Sequence, residues 1–202
     1  MSITLFIIIL TVLVSYTTFR NRIAFERMKF NAYEIRQHKT WHRFFSYGLL
    51  HADWMHLLIN MFVLYSFGSL VEQILVAEFG IRGRMFYGLL YVTALLCSVG
   101  PSYFKHRKNY YYNAVGASGA VSSVLFASII LQPQGSVFFM FIPIPIPAFI
   151  FGIIYLAYSV WMARRGSDNV AHDVHFWGAI YGIAFITVLN PEFMGNFIRY
   201  IF

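Results

Sequence analysis

Apolar residues in this chain are gathered into six long runs, and runs of that length leave few options for the fold. They lie at about residues 3–18, 54–76, 85–103, 114–131, 148–162 and 170–189. Crossing the hydrocarbon core of a bilayer takes about 20 apolar residues of helix. No Lys or Arg precedes the first run and no small-residue cleavage site follows it, so it reads as a span rather than a signal peptide. The expectation is an all-α, polytopic membrane protein: a single domain over residues 1–202, with six transmembrane helices in one bundle. Composition agrees. The chain is 59% hydrophobic and 11% charged, against roughly 45–50% and about 25% in soluble domains. A soluble protein so poor in charge would expose large apolar patches.

The segments between the runs carry most of the charge. Residues 20–52 alternate aromatic and basic side chains, as interfacial segments do. Some thirty residues is long for a bare loop, so structure is expected within it. A basic stretch, KHRKNYYYN, follows at 105–113. Residues 133–147 hold Pro133, Pro143, Pro145 and Pro147, which reads as a connection without helix, its FFMF segment in shallow contact with lipid. A short polar link, ARRGSDN, spans 163–169, and Pro191 ends the sixth run. The formal net charge is +7. Because the basic residues flank apolar runs, they imply membrane lipid as the partner and no nucleic acid. The single cysteine, Cys97, excludes an internal disulfide.

Polar groups are costly in hydrocarbon, so those inside the runs are the functional candidates. The first group is Gly116-Ala117-Ser118-Gly119, opening the fourth run. Small residues there also suit close helix packing. The second is His51, His56 and Asn60; His56 and Asn60 are four apart and share a helix face, while His51 and Asp53 sit at the interface. The third is His172, Asp173 and His175, followed by Gly178 and Gly182. His175, Gly178 and Gly182 form one helical stripe, and Gly178-x-x-x-Gly182 is a close-packing face. The small-residue fourth run is its natural neighbour, which would bring His175 to Ser118.

That meeting has a chemical use. A serine hydroxyl is a weak nucleophile until a base takes its proton, and an imidazole titrates in the right range. The negative oxygen that forms on an attacked carbonyl needs donors. The Asn60 amide and the Ser118 backbone N–H can supply them, with His56 assisting. Asp173 is two residues from His175 and points elsewhere, so the economical reading is a Ser–His dyad. Asp173 then reads as a solvated residue whose charge suits the helix start.

At this point the sequence resembles the rhomboid family of intramembrane serine proteases, over roughly residues 41–185. Family members look like six-helix bundles with G-x-S-G opening the fourth helix, H-x-x-x-N on the second and A-H-x-x-G-type sequence on the sixth. Here these match Gly116 to Gly119, His56 to Asn60, and His175 to Gly178. His175, rather than His172, has glycine at i+3. Trp41 and Arg43 resemble the family's W-R element, with His42 between them, and His51 and Glu72 fall where the family places a His and a Glu. Ser122 departs from the pattern: related proteases often carry a larger, sometimes aromatic residue there that packs on the catalytic His. The resemblance implies Ser118 as nucleophile, His175 as general base, and cleavage of peptide bonds in or beside the spans of transmembrane protein substrates, without metal or other cofactor. It also implies a multi-pass protein of the bacterial inner membrane, with the site near the outer face.

Two other functions are open to such a sequence. A rhomboid-like scaffold would bind membrane helices without cutting them, and would be expected to lack Ser or His. A metal transporter would use His51, His56, His172 and His175, but no intramembrane Asp, Glu or Cys accompanies them at ligand spacing. Charge bears on orientation: the loops after runs one, three and five hold 7, 3 and 2 of the 15 Lys and Arg residues, which places the Ser118 end on the cytoplasmic side and opposes the family orientation. The sequence is silent on oligomeric state.

Overall fold

A computed structural model describes residues 2–139, 142–166 and 170–202. Each of the six apolar runs forms helix. The first is α1 (Ile3–Phe19). Three short helices follow in the long first segment: α2 (Arg22–Met28), α3 (Ala32–His38) and α4 (Arg43–Ser46). The second run is continuous helix from α5 (Trp54–Val63) through a π-helical turn (Leu64–Gly68) into α6 (Ser69–Phe79). Then come α7 (Ile81–His106), α8 (Ser118–Leu131), the strands β1 (Ser136–Phe139) and β2 (Ile142–Pro147), α9 (Ala148–Arg165), α10 (His172–Leu189) and α11 (Pro191–Ile201). Among the described residues, Trp54–Phe79 and Ile81–His106 are long and apolar enough to cross a membrane. A third span results if α10 and α11, bent by 113° at their junction, count as one. Helices α1 and α8 are apolar but shorter.

The surface is apolar where a soluble protein would be polar. On α1, Thr4, Ile7, Thr11, Ser15 and Thr18 are buried while Leu5, Phe6, Ile9, Leu10 and Leu13 are exposed. The polar side of this helix faces the bundle and its greasy side faces out, as lipid contact requires. Helix α8 is buried almost from end to end, Gly119 to Ile130, and packs against α10, α7, α6 and α9.

Glycines set the closest approach in the bundle. A Cβ on Gly178 would collide with the Gly119 carbonyl oxygen, and one on Gly182 with that of Ser123. Backbone therefore meets backbone where α10 crosses α8, the arrangement that small-xxx-small spacing permits. The Glu72 carboxylate closes the start of α1, accepting from the Ile3 N–H (2.8 Å), the Thr4 N–H (3.0 Å) and the Thr4 hydroxyl (2.8 Å). Amides at a helix N-terminus lack intrahelical partners and carry partial positive charge, so a buried acid is compensated there.

Three local expectations change. The fourth helix begins at Ser118, not near residue 114. Ala114 exchanges backbone hydrogen bonds with Phe30, the Gly116 N–H donates to the Tyr47 carbonyl, and Gly116 has φ +116°, which a right-handed helix cannot include. The proline-rich 133–147 segment is not bare connection: β1 and β2 pair antiparallel, Val137 opposite Ile146 and Phe138 opposite Pro145. Ala148 N–H donates to the Gly135 carbonyl, so the missing N–H groups of Pro145 and Pro147, on either side of Ile146, fall on the strand edge facing away from the partner; the register then shifts between Phe138 and Phe139. Phe138 is exposed, while residues 140 and 141 of the FFMF segment, like 167–169 of the polar link, lie outside the described residues. Pro191 ends α10 and also starts α11, with the Asn190 side chain accepting from the Glu192 N–H.

Candidate active site

Ser118 is the first residue of α8, half-buried, immediately after the Gly116 turn. The left-handed side of φ space is open to glycine at little cost. A side chain at Gly116 would also strike the His56 ring. One position thus lets the chain turn sharply into α8 and lets His56 lie against the backbone beside Ser118. Because Ser118 opens the helix, its N–H and those just after it precede the intrahelical ladder.

His175 reaches this point from α10. Its Nε2 lies 2.7 Å from Ser118 Oγ, across 57 residues of sequence. The Gly119–Gly178 and Ser123–Gly182 approaches hold the helices close enough for that bond. The two residues named from sequence as nucleophile and base are therefore in hydrogen-bond contact.

The second helix supplies the neighbours. Asp53 caps α5, its carboxylate accepting from the His56 N–H at 2.8 Å. His56 Nδ1 faces the Ala52 N–H at 3.5 Å. An imidazole that accepts at Nδ1 carries its proton at Nε2 and offers it as a donor, the form useful to an anionic oxygen. Asn60 is buried one turn further on, and its Nδ2 donates to the His56 carbonyl at 2.8 Å. One of its two amide hydrogens is thus engaged with its own helix.

His51 is packed inside the protein just ahead of α5. It is fully buried, edge-on to His56 with ring centroids 4.9 Å apart. The Ser15 hydroxyl bonds the Leu49 carbonyl (2.8 Å) and lies 3.0 Å from His51 Nδ1. A hydroxyl has one proton, so His51 Nδ1 is the donor to Ser15 and Nε2 carries the lone pair. That Nε2 has no partner among the described residues. Burial, with the neighbouring His56 adding to it, pushes the His51 imidazole down to about 3, so it is neutral at any ordinary pH.

Asp173 differs from the solvated residue expected. It is half-buried and accepts from the Ser102 hydroxyl at 2.7 Å, tying α10 to α7 on the side away from Ser118. Two residues along a helix turn a side chain by some 200°, which is why Asp173 and His175 face different neighbours. Arg43 also has a structural place: its Nη1 donates to the carbonyls of Glu26 and Lys29 at 2.9 and 2.8 Å, pinning the first segment, while Trp41 stacks on Phe44. Ser122, one turn past Ser118, is hydrogen-bonded to the Tyr155 hydroxyl of α9 at 2.6 Å. Tyr158 meets His172, centroids 5.6 Å apart. Neither tyrosine stood out in the sequence. Their i, i+3 spacing on the fifth run was the only signal that they share a face. No group of three or more His, Cys, Asp or Glu able to hold a metal stands together among the described residues.

A sequence model of the Rhomboid domain matches residues 38–192, well over half of the chain. The chain belongs to the rhomboid family. It is 25% identical over 161 residues to "RHOMBOID-like protein 12, mitochondrial" of Arabidopsis thaliana, covering 75% of this chain and 48% of that protein. It is 29% identical over 147 residues to "Presenilin-associated rhomboid-like protein, mitochondrial" of Bos taurus, covering 68% of this chain and 35% of the relative. Similarity to "Rhomboid-like protein 11, chloroplastic" of Arabidopsis thaliana is 27% over 168 residues, 75% and 53% of the two chains. The chain thus spans about half of these relatives' length or less.

Proposed function

We propose that this protein is an intramembrane serine endopeptidase, built as a six-helix membrane bundle, that cleaves transmembrane or membrane-proximal segments of other membrane proteins. The observation that carries the reading is the 2.7 Å contact between His175 Nε2 and Ser118 Oγ, made at the mouth of a helix and beside an imidazole donor. In the reaction, His175 takes the Ser118 proton as Oγ bonds to the substrate carbonyl carbon. The carbonyl oxygen becomes negative and is received by the Ser118 N–H, His56 Nε2–H and the free hydrogen of the Asn60 amide. The C–N bond then breaks, with His175 returning the proton to the leaving amine. A water deprotonated by His175 next attacks the acyl ester, releasing the new carboxyl end and restoring Ser118.

The presence of both Ser118 and His175 in contact supports catalysis over a non-cutting scaffold. The family resemblance alone supports an outward-facing site and a bacterial inner membrane. The relatives' names point instead to organellar membranes, and membrane fractionation decides between them. The test of function is labelling of the purified protein by a serine-directed fluorophosphonate. Labelling that disappears in Ser118→Ala supports the reading; labelling that persists in that variant sinks it.

A further inference from the structure

Cationic charge gathers at the Ser118 end of the bundle, where the loops after runs one, three and five hold 12 of the 15 Lys and Arg. Within that face, α2, α3, α4 and residues 110–113 form a cleft of about 320 Å³. Arg43 lines it and is only 7% exposed. Its Nη1 is engaged by the Glu26 and Lys29 carbonyls, which fixes the plane of the guanidinium. The Nε–Nη2 edge makes no hydrogen bond among the described residues, and Nε is buried. A buried N–H without a partner is costly. Such an edge is also the planar fork that grips two oxygens of one carboxylate or phosphate. Arg27 lines the same cleft and pairs with no carboxylate among the described residues. The two acids of the lining have other partners: Glu26 pairs with Lys29 at 2.5 Å, and Glu34 lies 3.9 Å from His38 Nε2. Tyr111 of the lining is exposed, as are Trp41 and Phe45 on either side of Arg43 in the chain. Exposed Trp and Tyr mark the headgroup level of a bilayer.

We propose that this cleft binds the phosphate of an anionic phospholipid headgroup, with Arg43 holding two of its oxygens through Nε and Nη2 and Arg27 balancing its charge. The interfacial aromatics favour a lipid over a soluble anion. An acidic segment of a protein partner suits the cleft less well, because the free fork is single and recessed, whereas a row of carboxylates needs an open row of cations. The site also touches the catalytic end. Asn31, on the cleft wall, donates to the Tyr110 carbonyl at 2.8 Å and to Asn113 Oδ1 at 3.0 Å, and Phe30 exchanges backbone hydrogen bonds with Ala114. The headgroup thus rests on the segment that leads into Ser118. Lipid binding does not depend on the proteolytic reading.

The experiment is calorimetric titration of the full chain in uncharged detergent micelles with a short-chain phosphatidylglycerol. The wild type should show a single saturable site; no saturable binding overturns the proposal. Arg43→Lys keeps the charge but loses the fork, and Arg27→Gln removes the second cation. Each should weaken binding about tenfold or more, the scale of one charge-assisted hydrogen bond. Lys39→Gln and Lys108→Gln remove charge from the same face outside the cleft and should change binding by less than about twofold. Equal weakening by these two controls means diffuse attraction to the whole face and overturns the site. Short-chain phosphatidylcholine should bind clearly more weakly than phosphatidylglycerol; equal binding overturns the preference for an anionic lipid. Inorganic phosphate at the lipid's concentration should not displace it, and displacement assigns the cleft to a soluble anion instead. A glutamate-rich peptide that competes as well as the lipid assigns it to a protein partner and likewise overturns the proposal. If Arg43→Lys fails to fold, Arg27→Gln against the two controls still decides.

Discussion

Two buried polar clusters sit among the apolar helices, at the start of α1 and at the start of α8. In the first, the Glu72 carboxylate accepts three hydrogen bonds from Ile3 and Thr4, and Thr4 Oγ1 is bonded to the Tyr87 hydroxyl at 3.0 Å. In the second, Ser118 Oγ has His175 as its one hydrogen-bond partner among the described residues. The Asn60 amide is engaged through one hydrogen, and His51 Nε2 is unpartnered. A buried polar group whose role is to hold structure is saturated, because each missing bond costs stability. Groups that must gain a bond during turnover keep capacity in reserve, and a site prearranged in that way does not have to reorganise when charge develops.

The largest effects should break this contrast at the second cluster. Ser118→Ala or His175→Ala should reduce cleavage of a transmembrane substrate to background while circular dichroism and the melting temperature stay close to wild type. Full activity in either variant would mean that the second cluster is as structural as the first.

Asn60→Ala comes next. Loss of an oxyanion donor typically costs about 10²–10³ in rate, so turnover should fall by that order with KM little changed. His56→Ala should fall less, since Asn60 and the Ser118 N–H remain. An Asn60 that only held helices together would contribute about 0.6 kcal/mol as an intramembrane hydrogen bond. A loss of less than about threefold per folded molecule, well short of the oxyanion range, returns Asn60 to packing.

The first cluster should respond the other way. Glu72→Ala strands the Ile3 and Thr4 amides and should cost about 2–3 kcal/mol of stability, measured by unfolding in mixed detergent, with kcat per folded molecule nearly unchanged. A stable Glu72→Ala protein with impaired kcat would reverse the contrast.

The remaining effect is one of pH. His51 falls from its ordinary value of 6.5 to about 3 on burial. The unfolded chain takes a proton below pH 6.5 that the folded protein refuses. Stability is therefore full above that pH and declines as pH falls from 6.5 toward 3. His51→Gln should make this decline shallower. An identical slope in wild type and variant would show that the unpartnered Nε2 takes up its proton in place.

Much of the fold was legible because long apolar runs fold as helix: all six are helical, including α9 and α10 near their expected limits, although among the described residues only two, or three with the bent α10–α11 pair, are long and apolar enough to cross a membrane. The pairing of residues 136–139 with 142–147 was hidden because proline is read as a breaker, and only pairing reveals that Pro145 and Pro147 can stand in a strand. The true start of α8 was hidden for a related reason. Its preceding residues bond to Phe30 and Tyr47, more than sixty residues away, and no local pattern encodes such a partner.

The sequence by itself determined the apolar helical class and the candidate residues: an apolar chain has few polar groups, each conspicuous, and Gly178 and Gly182 mark the face that must pack tightly. Tertiary structure alone decided their use. It engaged Asn60 with its own helix, bonded Asp173 to Ser102 rather than leaving it in solvent, buried His51 fully, and put Tyr155 and Tyr158 of α9 against Ser122 and His172. Helical spacing tells which side chains share a face, but which neighbour that face meets depends on how whole helices cross, and in this bundle that is set by backbone contact at a few glycines.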